Sequence, residues 1–449
     1  MFADGRGRLS LGLVLTIVVV AFEGLAVATI MPITALALRG LTLYAWSFSG
    51  FMLGSLVGTV AVGEYAERHG PAVPLKGALA VFSCGLLACG AARTMPVFIA
   101  GRVIEGLGTG AVRSLVWLTL NRVYPAKTQA RMGAVLSSAW ILPSLVGPAL
   151  AGIIARVWSW RLVFLALLPL VPCALWLILE PLTHIDAQPA RETTSNRTRS
   201  AVQLAVGVAL LLFGLQQSSL AAIAGFVIVG VAPAWPALHR TLPSGTLRLR
   251  RGLPAVLGTR GLLTFAFFAA LAFFPLALEL ERGLTATVAG VGLSVGSVGW
   301  TSGSWLQAYL EYRFSPDVRP RIMLCGLLLL ATGIAGTSCV LLPSCPVAIA
   351  IAFWGVAGLG MGICFNTDTV LAIQSTSEYS AGMVSSSMQL SDSLGQTLGT
   401  GFGGGAMALA RWMGWGRSQG IGITFAISAA ICLVAIVTSP RLSAARLQP

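Results

Sequence analysis

Apolar runs of about twenty residues recur along this chain, separated by short segments that carry most of its charge. About 20 apolar residues in a helix cross the hydrocarbon core of a bilayer, where only helices and closed barrels satisfy their own backbone polar groups. The pattern predicts a polytopic helical membrane protein. Spans are expected at about 9–35, 44–62, up to 92, 98–120, from 132 onward, and up to 179. Residues 181–201 form the one clearly polar linker of any length. The next apolar stretch, 202–238, is broken by GLQQSS at Gly214–Ser219 and reads as two short spans with a tight outer turn, or else as one long span. A basic loop follows, then six more spans between about 257 and 439. The expected organisation is a six-helix bundle over 1–180, a cytoplasmic linker over 181–201, two extra transmembrane helices over 202–238, a cytoplasmic loop over 239–256 and a second six-helix bundle over 257–449. The expected fold class is an all-α membrane protein of fourteen spans.

Charge separates the two readings of 202–238. Loops on the cytoplasmic side of a membrane protein are enriched in Lys and Arg. With fourteen spans and both termini inside, inner segments hold 20 of the 29 basic residues, Arg260 among them, and outer segments hold 7. A single span at 202–238 would invert the second half and place its basic loops outside. The net charge of +14 does not point to nucleic acid, because the basic residues are scattered over short loops. A chain that is 56% hydrophobic and 10% charged, with a mean hydropathy of +0.84, is not a soluble globular protein. The eight cysteines show no CxxC and no zinc spacing, and His69, His184 and His239 fall in inner loops. No nucleotide loop or nucleophilic triad is visible, so neither a metal, a cofactor nor an enzyme is expected.

Ionisable residues inside the spans change the picture. The fourth span, FIAGRVIEGLGTGAVRSLVWLTL, carries Arg102, Glu105 and Arg113. Such a group at the bilayer centre costs about 2.5–3.5 kcal/mol on insertion scales, so it needs a partner or a water-filled path. Arg102 and Glu105 are spaced to pair on one helix face. Arg113 returns to nearly the same azimuth three turns on, giving a cationic stripe with a carboxylate inside it. Snorkelling to the membrane surface is the plainer use for either arginine. Glu23 lies in the middle of the first span and is a candidate proton carrier. Asp368 and Asp392 fall toward the inner ends of later spans. Trp117 and Trp140 could line a cavity, although packing and interfacial anchoring are the commoner uses of tryptophan.

The halves echo each other. EGLGTGAV at Glu105–Val112 resembles AGLGMGIC at Ala357–Cys364, and EYAE at Glu64–Glu67 resembles AYLE at Ala308–Glu311. Two six-span repeats in parallel orientation are the architecture of a rocking transporter with a central site.

Four motifs are similar to those of the major facilitator superfamily, and within it of the fourteen-span drug:proton antiporters. GEYAERHGP resembles the loop motif G-x-L-a-D-R-x-G-R/K through Gly63, Glu67, Arg68 and Gly70, with Pro71 in place of the usual basic residue. RVIEGLGTG resembles R-x-x-Q-G-x-G, with Glu105 where Gln is usual. PSLVGPALAG resembles the antiporter motif through Gly147, Pro148 and Gly152. FEGLAVATIMP keeps the acid-to-proline spacing of the first-span motif through Glu23 and Pro32. The resemblance implies the major facilitator fold, two six-helix bundles plus two additional central helices. It implies proton-coupled efflux of drugs or other lipophilic compounds by alternating access, with the proton gradient as energy source and no cofactor. The alternative is a transporter of one metabolite or lipid. Under this reading Glu23, Arg102 and Glu105 couple protons. Arg113, Trp117, Trp140, Asp368 and Asp392 belong to the substrate cavity, and the loop and antiporter motifs govern conformation. The expected partners are a lipophilic small molecule, protons and the bilayer of the plasma membrane, with the protein a monomer.

Overall fold

The computed structural model describes residues 7–124, 126–183, 197–374 and 381–442, and every regular element among them is a helix. The chain forms two compact units, Met1–Val206 and Gly207–Pro449. The first contains α1 (Gly7–Ala37), α2 (Trp46–His69), α3 (Ala72–Ala91), α4 (Met95–Val123), α5 (Ala126–Ser138), α6 (Ile141–Val157), α7 (Trp160–Leu165), α8 (Leu170–Thr183) and the start of α9 (Arg197–Gly214). The second contains the end of α9, then α10 (Leu220–Thr241), α11 (Leu253–Leu280), α12 (Ala286–Arg313), α13 (Arg319–Thr337), α14 (Val347–Gln374), α15 (Ala381–Trp412) and α16 (Arg417–Thr438).

Proline divides two of the predicted spans. Pro143 has no N–H to offer the carbonyl of Ala139, and the fifth span breaks there into α5 and α6. Pro169 and Pro172 do the same between α7 and α8. The apolar stretch at 202–238 is also broken, at Leu215–Ser219. Away from that break, α9 and α10 are in backbone contact: a Cβ on Gly207 would lie 2.5 Å from the Gly230 carbonyl oxygen.

Among the described residues, eleven helical segments are long and apolar enough to cross a membrane, against the fourteen spans expected. The long helices outside that set are α9, α12 and α15. Arg197 and Arg199 occupy the first turn of α9, while α12 and α15 are rich in Gly, Ser and Thr. Small and hydroxylic residues lower the hydropathy of a helix, yet they are the residues that let membrane helices pack closely.

Glycine pairs show the repeat directly. In the first unit, a Cβ on Gly106 or Gly110 of α4 would come within 2.1 Å of the α2 carbonyl oxygens of Phe51 and Ser55. Gly108, on the opposite face, meets Phe82 of α3. In the second unit, Gly358 and Gly362 of α14 meet the carbonyls of Gly296 and Trp300 on α12 just as closely, and Gly360 meets α13. The two G-x-G-x-G runs therefore do the same work, wedging the fourth helix of each six between the second and third.

Candidate functional site

In the first unit the fourth helix carries the ion cluster. Arg102 sits two turns into α4 and is 2% exposed. Its Nη1 donates to Glu23 Oε1 of α1 and to Glu105 Oε2, the latter at 2.7 Å, one turn along α4. Its Nε donates to the Ser47 carbonyl at 3.1 Å, and the Phe51 ring lies 4.1 Å from the guanidinium carbon. The Cys89 thiol of α3 donates to Glu105 Oε2 at 3.5 Å. Helices α1, α2 and α4 thus meet at one guanidinium, and α3 joins them through Glu105. Glu23 and Glu105 are both buried, and Glu23 Oε2 and Glu105 Oε1 have no hydrogen-bond partner among the described residues.

The charge does not balance. One arginine faces two carboxylates, so the fully ionised cluster carries a formal charge of −1 away from water. Buried charge is tolerated when it is paired and hydrogen-bonded, and two carboxylate oxygens here are not. One proton shared by the carboxylates would neutralise the cluster and turn an orphan acceptor into a donor.

The Gly147–Pro148–Gly152 motif packs on α1 at the residue before Glu23. Pro143, Gly147, Pro148, Ala151 and Gly152 form the buried face of α6, and a Cβ on Gly147 would touch the ring of Phe22, the neighbour of Glu23. In the loop motif, Gly63 lies within α2, and Gly70 ends that helix at φ +72°, a left-handed conformation that suits glycine. The backbones of Glu67 and Arg68 belong to α2, while their side chains lie outside the described residues.

The second unit has an ion cluster of its own. Arg260, which the loop reading placed among the inner basic residues, lies instead two turns inside α11 and is 4% exposed. Its Nε and Nη2 grip Asp392 of α15 at 2.7 and 3.1 Å. Its Nη1 reaches Thr369 Oγ1 at 2.8 Å, the Phe365 carbonyl at 3.3 Å and Asp368 Oδ2 at 3.4 Å, all on α14. The guanidinium carbon stands 3.6 Å from the centre of the Phe365 ring. Asp368 and Asp392, read separately as cavity residues, are thus held by one arginine. The signal for it was present: two carboxylates inside spans of this half require a cation, and Arg260 is the one within an apolar run.

The repeat aligns Arg102 with Trp354 and Glu105 with Ala357. At that level of the second unit the ions give way to aromatic packing, with Phe267 stacked on Trp354 at 4.9 Å and edge-on to Trp300 at 5.2 Å. Asp368 lies fourteen residues further along α14, about 21 Å at 1.5 Å per residue. The remaining predicted cavity residues are partly accessible. Arg113 is half-buried on α4, and Trp117 and Trp140 are 45% and 37% exposed.

Comparison with known proteins agrees with this architecture. The family model described as Major Facilitator Superfamily matches residues 13–400. A "probable multidrug-efflux transporter" of Mycobacterium tuberculosis is 27% identical over 432 residues, covering 91% of this chain and 89% of that protein. The multidrug transporter protein MdtP of Bacillus subtilis is 25% identical over 412 residues, covering 88% of this chain and 74% of that protein. Among solved structures, a POT family transporter in complex with 5-aminolevulinic acid aligns with a TM-score of 0.70 at 12% identity, covering 98% of this chain and 97% of that one. A D-xylose–proton symporter aligns with a TM-score of 0.64 at 15% identity, covering 96% of each.

Proposed function

The chain belongs to the Major Facilitator Superfamily, and from that premise we propose that it exports lipophilic compounds in exchange for protons by alternating access. It is a transporter and not an enzyme. The efflux reading is supported by the multidrug-efflux relatives, which align over most of both chains. The observation that carries the coupling is the Glu23–Arg102–Glu105 cluster, one buried cation facing two buried carboxylates with two orphan oxygens. Protonation of the pair removes a net charge and frees Arg102 from one partner. A proton that binds one conformation better than the other shifts the balance between them, and a proton gradient then drives cargo against its own gradient.

In this proposal the protein sits in the plasma membrane as a monomer with both termini cytoplasmic. It crosses fourteen times, with α9, α12 and α15 as its less apolar spans. Cargo meets Arg113, Trp117 and Trp140 in the first half and the partly exposed Asp392 in the second. The loop motif at Gly63, Glu67, Arg68 and Gly70 and the α6 motif at Gly147, Pro148 and Gly152 guide the conformational change. No cofactor or nucleic acid takes part.

The test is a panel of lipophilic dyes and drugs in inside-out vesicles, with and without an imposed pH gradient. Gradient-dependent accumulation of several unrelated compounds is expected. Accumulation of a single metabolite or lipid would replace efflux of drugs by specific transport. Uptake indifferent to the gradient would remove the coupling.

A further inference from the structure

The two carboxylates of the second unit do not share Arg260 equally. Asp392 takes two N–H groups in a fork, the strongest geometry that a guanidinium offers a carboxylate. Asp368 receives one long contact from Nη1, a nitrogen that already serves Thr369 and the Phe365 carbonyl. Asp368 Oδ1 has no hydrogen-bond partner among the described residues. Asp368 is fully buried, whereas the Asp392 side chain keeps 20% of its surface exposed. One positive charge, already matched by Asp392, leaves nothing to balance an ionised Asp368. A carboxylate in that position would be a buried charge with a single 3.4 Å contact, which apolar surroundings do not sustain.

We propose that Asp368 is a second proton-binding carboxyl of this transporter, protonated while Asp392 grips Arg260 and ionised when that grip is released. The site has the stoichiometry of the cluster in the first unit, one arginine and two acids, but the helices exchange parts. In the first unit the arginine is on the fourth helix and reaches an acid on the first. In the second unit the arginine is on the first helix of the six, α11, and reaches an acid on the fourth, α14. The ionisable groups around Asp368 are Arg260 from α11, Asp392 from α15 and Cys364 one turn back on α14. Cys325 of α13 and Cys432 of α16 lie beside Cys364. On α12, Glu311 is engaged by Arg319 at 2.6 Å. Release of Arg260 by Asp392 is therefore the change that hands Asp368 a counter-charge and expels its proton. This inference rests on the second unit alone and does not need the export reading to hold.

Infrared spectroscopy of the full-length protein in detergent at neutral pH tests it, because a protonated carboxyl has a C=O stretch that a carboxylate lacks. Asp368→Asn is expected to lose the intensity of one protonated carboxyl, and to lose it equally in a Glu23→Gln background, where the proton shared by Glu23 and Glu105 no longer contributes. A folded Asp368→Asn protein with the full intensity of the unsubstituted protein would overturn the proposal. If Asp368→Asn does not fold, Asp392→Asn gives the second measurement. It frees Arg260 to pair with Asp368, so the same loss is expected although Asp368 is intact. Retention of the band in Asp392→Asn would also overturn the proposal. No cargo is needed, so a failed transport assay leaves this result interpretable.

Discussion

Gly85 of α3 packs directly on the backbone of Glu105: a Cβ built on Gly85 would lie 2.4 Å from the Glu105 Cα. The second unit repeats the contact, with Gly333 against Ala357. The position of the Glu105 carboxylate is thus set by a close approach that only glycine permits. Overpacking a tight contact costs about 1–3 kcal/mol. Gly85→Ala is expected to lower thermal stability in detergent by that order and to disturb the Glu23–Arg102–Glu105 cluster. Gly77→Ala, on the same helix with nothing within 4 Å, is expected to leave stability unchanged or raised. Equal melting temperatures for the two variants would remove the packing explanation.

How much of this was legible in the sequence depends on the range of the interaction. The Arg102–Glu105 pair follows from spacing along one helix. The pairing of Glu23 with Arg102 joins residues 79 apart, and no periodicity reports it; only the motif resemblance brought the two together. The breaks at 139–140 and 166–169 were written in Pro143, Pro169 and Pro172, but a proline in an apolar run signals a bend and an interruption equally well. Arg260 was misplaced because charge counting assigns an arginine near a span's end to the loop. Its partners, 108 and 132 residues away, are joined to it only by the fold. Gly85 and Cys89 gave no signal, since an unremarkable Gly or Cys in a span gains meaning only from what packs on it.

Topology offers a prediction that needs no cargo. The break at Leu215–Ser219 turns the chain between α9 and α10. Reporter domains fused at Gln217 and at Gly245 are expected on opposite faces of the membrane, outside and inside respectively. A common location for the two reporters would mean that α9 and α10 do not both cross, and the fourteen-span arrangement would fail with them.

Arg113 gives a prediction about cargo. It is a half-buried cation on α4, one turn from the exposed Trp117. Arg113→Ala is expected to shift the panel toward cationic compounds, with anionic and zwitterionic ones losing the most transport. The measurement is the ratio of transport rates at matched protein abundance. An unchanged ratio would leave Arg113 with an interfacial role.

The removal of a carboxylate and the removal of its cation differ in consequence, and the difference tests the coupling. Glu23→Gln copies the protonated side chain in shape and charge. It leaves Arg102 paired with Glu105 at 2.7 Å and held by the Ser47 carbonyl, so folding is expected to survive. Cargo exchange down its own gradient is expected to continue, while accumulation driven by a pH gradient is lost. Arg102→Ala instead leaves Glu23 and Glu105 buried without their cation. Breaking a buried pair from one side costs about 3–5 kcal/mol, so this variant is expected to melt well below the unsubstituted protein or to recover only when the carboxylates are protonated. Its stability should therefore rise as pH falls, because protonation removes the uncompensated charges. Glu23→Gln combined with Arg102→Ala should regain part of the loss, since one of the two orphaned charges is gone. Proton release from solubilised protein on addition of a transported dye completes the test. Release by Glu23→Gln equal to that of the unsubstituted protein would move the coupling proton off Glu23, and Glu105→Gln would then be the variant to examine.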